Sequence, residues 1–351
     1  EVPSLVREVS PLKDLRCLRE LQRLVETVHP DVVHTHSSKA GVLGRWAAAT
    51  TNPRMATPAI VHTIHGPPWM PIEGPPHRRA QIALKNTHNA PAERFAARKC
   101  DRIISVADAM TEQFLGRKIG KPEQYVTVRS GMETEPFLHA AQGEDRASVR
   151  DRFGLRDDEF VIGIVARLAE HQGHDALIDA LATLMRKHAA LRMLWVGDGW
   201  WRDRLEQRLH DEGVEPSVVR TGLVDQSEIP GLMRAMDVLA HPSYREGLPR
   251  TVPQAMLAGA AVVATDTDGT REVCLDPAEH GDAATGVLVP VGEPQALREA
   301  IQFMIDEPEQ RAEMASRGRE RCLDQFSAER MGEDLERVYA EAIGLLGQSI
   351  R

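Results

Sequence analysis

Short apolar runs alternate with helical patterns along the whole chain. In its first third, apolar runs bounded by turn residues predict parallel strands at 31–34, 59–62, 101–105 and 126–129. The stretch 39–49 is rich in small residues and predicts a helix between the first two strands. Each run is too short and too apolar for an exposed antiparallel edge, so the pattern favours a buried parallel sheet.

A second series of alternating runs begins near residue 160. Helical patterns at 175–187 and 201–210 separate apolar runs, and the region 296–346 is almost wholly helical with breaks near Pro308 and Phe326. The predicted strands are 160–165, 192–196, 218–221, 238–241 and 261–264. This alternation predicts βαβ units and an α/β fold with doubly wound parallel sheets.

The Gly- and Pro-punctuated segment 130–136 separates the two series and is the best candidate for a hinge. It predicts two Rossmann-like domains, at 1–135 and 136–330, facing each other across a cleft. Ligands of such sheets bind outside the carboxyl ends of the strands, where the polar motifs described below are found.

Composition narrows the class of protein. The chain has 351 residues, of which 42% are hydrophobic and 27% charged, as expected for two globular domains. An aromatic content of 4% and a formal charge of −9 argue against a nucleic-acid partner. The four cysteines are scattered without a Cys-x-x-Cys pair, which favours reduced thiols and a cytoplasmic location. No apolar run is long enough to span a membrane.

The stretch 243–254 reads as a loop that leads into a helix, with a buried strand after it. Glu246 lies where the predicted helix begins, and Gln254 lies two turns later. The backbone N–H groups of Gly247 and Leu248, at the predicted helix start, suit an anionic or hydroxyl-rich ligand. The alternative is an acid that only complements the helix dipole.

Two further polar groups follow predicted strands. Arg167 comes after strand 160–165, where a fixed guanidinium offers bidentate contact to phosphoryl charge. The turn Gly197-Asp198-Gly199 ends strand 192–196. Its glycines allow a ligand to approach the backbone closely, or they form an ordinary tight turn, and both interpretations stay open.

Four histidines, His34, His36, His62 and His65, stand at or near the ends of two neighbouring predicted strands. Histidines at this spacing could converge on a metal ion, so a metal-dependent hydrolase is a rival class. These segments supply no obvious carboxylate ligand, however. The stretch 266–268 imitates an Asp-x-Asp metal motif, but we interpret the match as accidental and predict no metal site.

Five segments appear in an order that matches one known family. They are 34–41, 163–168, 196–199, 221–224 and 246–249, the last followed by Gln254. Together they resemble the retaining GT-B glycosyltransferases of family 4, the "glycosyltransferase group 1" proteins. The resemblance covers nearly the whole chain and implies an N-terminal acceptor domain and a C-terminal nucleotide-sugar domain. It also implies that a C-terminal helix at 331–351 completes the first domain, and that an opening βα portion of that domain is missing.

The resemblance assigns roles to individual residues. It implies that Glu246 binds hydroxyls of the donor sugar, that Arg167 binds the diphosphate, and that His65 lies near donor phosphate and acceptor. Gln254 replaces the family's second acid at the ribose, and Gln172 replaces a lysine that the family pairs with the arginine. The other implied donor-binding residues are Gly197, Asp198, Gly199, Leu223, Val224, Gly247, Leu248 and Pro249, and the implied acceptor-side residues are His36, Ser37 and Lys39.

The implied reaction is transfer of a sugar, with retention, from a nucleotide-diphosphate sugar to a hydroxyl acceptor. The acceptor would be a sugar, a lipid-linked sugar or a small molecule in polysaccharide or glycolipid biosynthesis, with no cofactor beyond the co-substrate. The basic segment 77–99 is a candidate for peripheral contact with the inner face of a membrane, against the alternative of a solvated helix face. Because Gln172 and Gln254 lack the family's charges, a non-catalytic scaffold is a rival, as is a sugar-nucleotide epimerase on the same fold.

Overall fold

The computed structural model describes residues 1–6, 10–36, 38–51, 56–67, 69 and 76–349, and it divides into two compact units. Unit 1 comprises residues 1–129 together with the chain from 331 onwards, and unit 2 comprises residues 130–330. The sequence-based boundary at 135/136 lies a few residues beyond this division.

Unit 1 is built on a parallel sheet with the strand order β1-β2-β3-β4. Every residue of β2 is buried, because helices cover both faces of the sheet. The strands are β1 (Val32–His36), β2 (Ala59–Ile64), β3 (Arg102–Ser105) and β4 (Tyr125–Thr127). The helices are α1 (Pro11–Val28), α2 (Ser38–Ala49), α3 (Pro76–Ala97) and α4 (Asp108–Gly116).

Helix α3 continues through Pro91 without a break. A proline inside a helix removes one hydrogen bond and disturbs the preceding turn. Pro91 is exposed, while Ile82, Ala96 and Ala97 of the same helix are buried. Burial of the apolar face therefore outweighs the local cost of the proline.

Unit 2 contains a parallel sheet in the order β10-β9-β8-β5-β6-β7. Its strands are β5 (Phe160–Val165), β6 (Leu191–Val196), β7 (Val218–Gly222), β8 (Val238–His241), β9 (Ala261–Thr265) and β10 (Val287–Val289), the last of which the sequence pattern did not predict. Its helices are α5 (Glu135–Leu138), α6 (Arg146–Arg152), α7 (His174–Lys187), α8 (Arg202–Asp211), α9 (Ile229–Arg234), α10 (Thr251–Leu257), α11 (Thr270–Val273), α12 (Pro277–His280), α13 (Pro294–Asp306) and α14 (Pro308–Gln325).

Two amphipathic helices show why unit 2 folds as a layered sheet. Leu177 and Leu181 lie one turn apart on α7, and Leu297 and Ile301 do the same on α13. All four side chains are buried in one cluster with residues of β5, β6 and β9. Burying each such side chain contributes about 1.5–3 kcal/mol, so this face fixes both helices on the sheet.

The last helix, α15 (Ala328–Ser349), follows the predicted break after Phe326. Its buried Val338 and Ala342 pack against Ala59 and Ile104 of the unit 1 sheet. Among the described residues, no helix is both long and apolar enough to cross a bilayer.

The predicted hinge segment pairs with the chain just before α15. Met132 donates its N–H to the Phe326 carbonyl at 2.9 Å and accepts from Ala328 N at 2.9 Å. These hydrogen bonds lie within unit 2 and join its first residues to its last.

Candidate functional site

The unit 2 sheet reverses its strand order between β5 and β8, which are hydrogen-bonded neighbours. The chain proceeds from β5 to β6 and β7 on one side and from β8 to β9 and β10 on the other. A crevice opens at such a switch point, outside the carboxyl ends of the strands. Arg167 follows β5 and Glu246 follows β8, so both predicted residues flank this point.

Arg167 presents a positive charge with no acidic partner in the described part of the chain. Its side chain is exposed, and its guanidinium carbon lies 5.9 Å from the centre of the Trp200 ring. An exposed cation beside an aromatic face is well placed for an anion or a stacked ligand.

His174 holds the backbone of Arg167 in place. Its Nε2 lies 2.9 Å from the Arg167 carbonyl, and the ring is fully buried. Burial lowers the pKa of His174 to about 4, so the ring is neutral at neutral pH. His174 therefore positions the arginine without adding positive charge beside Gln172.

Glu246 is largely buried, with 20% of its side chain exposed. Its N–H donates to the Asp268 carboxylate at 2.8 Å. Its Oε1 lies 3.3 Å from Nε2 of His241, whose Nδ1 lies 3.3 Å from the Thr251 hydroxyl. Sequence reasoning missed His241, although it ends β8 five residues before the glutamate.

Burial alone would raise the pKa of Glu246, but its contacts with His241 and Ser243 and the nearby His171 outweigh this effect. The pKa of Glu246 therefore lies below its usual value, and the side chain is a carboxylate at neutral pH. An ionised, partly buried carboxylate is a strong acceptor for hydroxyl groups of a ligand.

The turn after Glu246 differs from the prediction. Helix α10 begins at Thr251, so Gly247 and Leu248 lie in a turn and not at the helix start. Leu248 and Pro249 are buried, and the Gly247 carbonyl accepts from Gly269 N at 3.2 Å. The apolar side chains here anchor the loop that carries Glu246.

The remaining predicted donor-side residues lie in α10, in the turn after β5 and in the loop after β7. Gln254 is half-buried in α10, and Gln172 is half-buried in a single 3-10 turn after β5. Within the described residues, neither side-chain amide has a hydrogen-bond partner, so both are available to a ligand. Leu223 and Val224 follow β7, and Leu223 is 85% exposed.

The turn Gly197-Asp198-Gly199 packs against the chain itself. A Cβ on Gly197 would lie 2.1 Å from the Ala166 carbonyl, and one on Gly199 would lie 2.3 Å from the Leu168 carbonyl. Asp198 accepts from Gly199 N at 2.7 Å and lies 3.4 Å from Arg202. Close packing of the loops after β5 and β6 accounts for these glycines.

The Asp-x-Asp stretch has structural contacts of its own. Asp266 forms a two-pronged ion pair with Arg271, with the shorter contact at 2.7 Å. Asp268 accepts the Glu246 N–H and adopts a positive φ of 44°. Both carboxylates therefore serve to hold the loop beside Glu246.

The loops that follow β5 and β8 pack against each other at Gly173. Its φ is +71°, and a Cβ there would lie 1.9 Å from the Pro242 carbonyl. Nearby, Tyr244 N donates to the His171 carbonyl at 2.8 Å. The segments that carry Arg167 and Glu246 are therefore packed backbone to backbone.

We expect Gly173→Ala to destabilise unit 2 much more than Gly213→Ala. Gly213 has a similar φ of +67° but no atom within 4 Å of its Cβ position. The control should cost only the left-handed strain of about 1–2 kcal/mol, whereas Gly173→Ala adds a backbone clash of about 1–3 kcal/mol. Denaturant unfolding of both variants measures the difference, and equal losses would contradict the packing of these loops.

Unit 1 brings two of the four candidate histidines into hydrogen-bond contact. His36 Nδ1 lies 2.9 Å from His65 Nε2, and the two partly exposed, partly buried rings stack at 5.2 Å. Burial lowers the pKa of both rings, and for His65 the neighbouring His36 adds to the effect. Both rings are therefore neutral at neutral pH, with one nitrogen donating to the other.

The four histidines do not converge on one point. His62 faces the other side of the sheet, where its Nδ1 contacts the Thr35 hydroxyl at 2.9 Å. His34 has both ring nitrogens engaged, at 2.7 Å from Tyr339 and 2.7 Å from Thr63. Side chains alternate between the two faces along a strand, which separates His62 from the others. The described residues contain no group of three metal-ligating side chains, so the metal-hydrolase hypothesis has no site here.

The other acceptor-side predictions have different outcomes. Lys39 pairs with Asp14 and donates to the Val6 carbonyl at 2.9 Å, so it fastens the chain before α1 to α2. Ser37 lies outside the described residues.

The burial of His62 makes unit 1 sensitive to acid. Burial lowers its pKa from 6.5 to about 2, so between these values the unfolded chain binds a proton that the folded chain does not. The contribution of His62 to the free energy of unfolding is fully present above pH 6.5, its pKa in the unfolded chain. It falls as the pH drops below that value, by on the order of 2 kcal/mol at pH 5. We expect His62→Gln to reduce this loss between pH 7.5 and pH 5 in chemical unfolding, and an unchanged slope would show that His62 is not its source.

Comparison with known proteins places both units in related families. Residues 145–321 match the family model described as "Glycosyl transferases group 1", and residues 1–131 match "Glycosyl transferase 4-like domain". The putative glycosyltransferase EpsD of Bacillus subtilis (strain 168) is 27% identical over 330 residues, which cover 93% of this chain and 81% of EpsD.

Two further matches carry ligand names. An Escherichia coli UDP-Gal:alpha-D-GlcNAc-diphosphoundecaprenol alpha-1,3-galactosyltransferase is 26% identical over 274 residues, which cover 77% of this chain and 66% of that enzyme. The crystal structure of Anabaena Alr3699/HepE in complex with UDP superposes with a TM-score of 0.77 at 23% identity, covering 95% of this chain and 84% of HepE. This likeness shows that the two proteins share a fold.

Proposed function

The chain belongs to the glycosyl transferases group 1 family, and from this premise we propose that it transfers a hexosyl group from a nucleotide-diphosphate sugar to a hydroxyl acceptor with retention of configuration. The chain is a glycosyltransferase of GT-B fold. The donor nucleotide, the sugar, the acceptor and the stereochemistry are the parts that we propose.

One observation carries the proposal. An exposed arginine with no acidic partner in the described chain and a partly buried carboxylate flank the strand-order switch of unit 2. A nucleotide-diphosphate sugar presents the matching groups, which are a diphosphate for Arg167 and sugar hydroxyls for Glu246. We assign Leu223 and Val224, after β7, to the base, and Gln254 to the ribose.

The proposed reaction is a front-face displacement. The acceptor oxygen attacks the anomeric carbon on the side from which the diphosphate leaves. As the bond between that carbon and the phosphate oxygen breaks, its electron pair stays on the diphosphate, and the acceptor proton moves to a phosphate oxygen. Arg167 stabilises the charge that develops on this leaving group.

No described carboxylate is placed as a nucleophile in this scheme. Glu246 is assigned to the sugar hydroxyls, while Asp266 and Asp268 are engaged in the loop beside it. In unit 1, we assign the neutral His36–His65 pair to the acceptor hydroxyl, because a neutral imidazole nitrogen can accept its hydrogen bond.

We propose UDP as the donor nucleotide and a lipid-diphosphate-linked sugar as the acceptor class. The support is the UDP-Gal and diphosphoundecaprenol in the name of the E. coli relative and the UDP in complex with HepE. These ligands belong to those proteins and guide the choice of substrates to test.

The test is to incubate the full chain with UDP-, GDP- and ADP-hexoses and a panel of hydroxyl acceptors. We expect acceptor-dependent release of the nucleotide from one donor, with a product that has the donor's anomeric configuration by NMR. An inverted product would overturn retention, and formation of an epimer of the donor would favour the epimerase.

A non-catalytic binding protein is the second candidate, because the family resemblance implies charged residues where this chain has Gln172 and Gln254. Donor binding without release of nucleotide or product, across the whole acceptor panel, would favour this function. Both candidates use the same donor site, so they differ in turnover and not in binding.

Restoring the family's charges should strengthen donor binding. We expect Gln172→Lys and Gln254→Glu each to lower the Kd of the donor by about 3–10-fold, because a charged partner forms a stronger hydrogen bond. Isothermal titration with the donor measures the effect. Gln325→Glu, at a half-buried glutamine at the end of α14, is the matched control, and no gain in either site variant would refute our placement of both glutamines.

A further inference from the structure

Unit 1 has a basic groove that the proposed reaction does not use. It encloses about 740 Å³ where the end of α3 meets the loop between α4 and β4. Five cationic side chains line the groove, and all of them are exposed. They are Arg94, Arg98, Arg117, Lys118 and Lys121.

The groove lies at the opposite edge of the sheet from the His36–His65 pair. Helices α3 and α4 end at the groove, and strands β3 and β4 begin there. His36 ends β1 and His65 follows β2, so both histidines lie at the carboxyl edge of the same parallel sheet. The groove is therefore separate from the histidine pair.

Hydrogen bonds fix the walls of the groove. Arg94 Nε donates to the Arg117 carbonyl at 2.7 Å, and Gln124 Nε2 donates to the Ala97 carbonyl at 3.0 Å. The Arg117 guanidinium lies 4.0 Å from the centre of the buried Trp69 ring. Two of the five cations are thus held in place before any ligand arrives.

Carboxylates of the described residues leave most of the positive charges in the groove unpaired. Lys121 lies 3.7 Å from Glu123, but within the described residues the other four cations form no ion pair with a carboxylate. The nearest acid on α3, Glu93, is buried against Arg45 at 2.6 Å. This concentration of positive charge stands out in a chain of net charge −9.

Helix ends explain only part of this cluster. Cations at the carboxyl end of a helix stabilise the exposed carbonyl groups, and Arg94 does so at the end of α4. Arg98, Lys118 and Lys121 bond to no carbonyl group in the described chain, and like charges so close together repel one another unless an anion lies between them.

We propose that the groove is a binding site for a phosphate-bearing ligand, separate from the donor site of unit 2. Guanidinium and ammonium groups around one concavity are the donor set that a phosphate prefers. The phosphate would come from a free polyphosphate or from the headgroup of an anionic lipid. The proposal does not depend on the proposed transferase reaction.

The test uses the full chain, with inorganic pyrophosphate and lipid vesicles as probes. We expect calorimetry to detect pyrophosphate binding that Arg98→Gln/Lys118→Gln weakens by about 5–10-fold, since both substitutions remove direct charge contacts. Arg167→Ala separates the contribution of the donor site. Lys13→Gln/Arg19→Gln, on the exposed face of α1, removes the same charge and should leave pyrophosphate binding unchanged.

Vesicles of phosphatidylglycerol and of phosphatidylcholine identify the source of the phosphate. Sedimentation with phosphatidylglycerol alone, reversed by pyrophosphate and lost in Arg98→Gln/Lys118→Gln, would assign the groove to a lipid headgroup. Pyrophosphate binding without sedimentation would assign it to a free ligand. Binding of neither probe, or the same affinity in this variant and the wild type, would overturn the proposal.

Discussion

Arg167→Ala is expected to lower kcat/KM for sugar transfer by about 10²–10³-fold, the loss seen when a preorganised donor to a developing anion is removed. The guanidinium has no acidic partner in the described chain, and the buried, neutral His174 holds its backbone carbonyl. Its charge is therefore available to the leaving diphosphate. Part of this loss is weaker donor binding, and the rest should appear in kcat, because negative charge on the leaving group is greatest in the transition state.

Two variants make this test specific. Arg167→Lys keeps the charge but not the forked geometry, so it should recover only part of the activity. Arg204 stacks on Trp201 at 4.3 Å as Arg167 stacks on Trp200, but it also pairs with Asp175 at 3.0 Å. Arg204→Ala should change kcat/KM by less than about twofold, as for a partly exposed ion pair. Equal losses in Arg167→Ala and Arg204→Ala would indicate a structural effect.

Glu246→Gln is expected to lower kcat/KM by about 10–100-fold, because hydrogen bonds to a charged acceptor contribute about 1.5–3 kcal/mol. The carboxylate is partly buried and lies 3.3 Å from His241. Glutamine keeps the shape and one acceptor oxygen, so unit 2 should still fold. Glu309→Gln, at an exposed position in α14, is the matched control and should have wild-type activity.

His241 should control the pH range in which Glu246 works. In the wild type, the pKa of Glu246 lies below its usual value of 4.5, so the side chain is ionised at pH 5. Its protonation should therefore not limit activity at that pH. In His241→Ala, burial still raises the pKa of Glu246, but the contact with His241 that lowers it is lost. The pKa of Glu246 should therefore rise, and the variant should lose more activity at pH 5 than at pH 8. A pH profile of kcat/KM measures this shift. An unshifted acid limb would show that His241 does not set the pKa of Glu246.

The sequence predicted the elements whose apolar pattern is unambiguous. The runs at 160–165, 238–241 and 261–264 are strands, and the predicted breaks near Pro308 and Phe326 separate three helices. Periodicity identifies these elements because nearly all their contacts bury apolar surface. The placement of Arg167 and Glu246 beside the switch point follows from the strand order of the structure. The alternation of strands and helices predicts only that the sheets are parallel.

The details around Glu246 depend on contacts that no local pattern encodes. Leu248 and Pro249 are buried, and α10 begins only after them, at Thr251. This start depends on packing against the sheet. Gly173 requires its glycine because of the Pro242 carbonyl, which is distant in sequence. His241 resembles any other strand residue until its distance to Glu246 is known.

The central claim is that the strand-order switch of unit 2 binds a nucleotide-diphosphate sugar through Arg167 and Glu246. Its most direct test is isothermal titration of the full chain with UDP-glucose, UDP-galactose and the corresponding GDP- and ADP-sugars. We predict that one of these donors binds with one-to-one stoichiometry and that Arg167→Ala and Glu246→Gln each weaken it by about tenfold or more, as expected for lost charged hydrogen bonds. Binding of none of the donors, or wild-type affinity in both variants, would contradict the account.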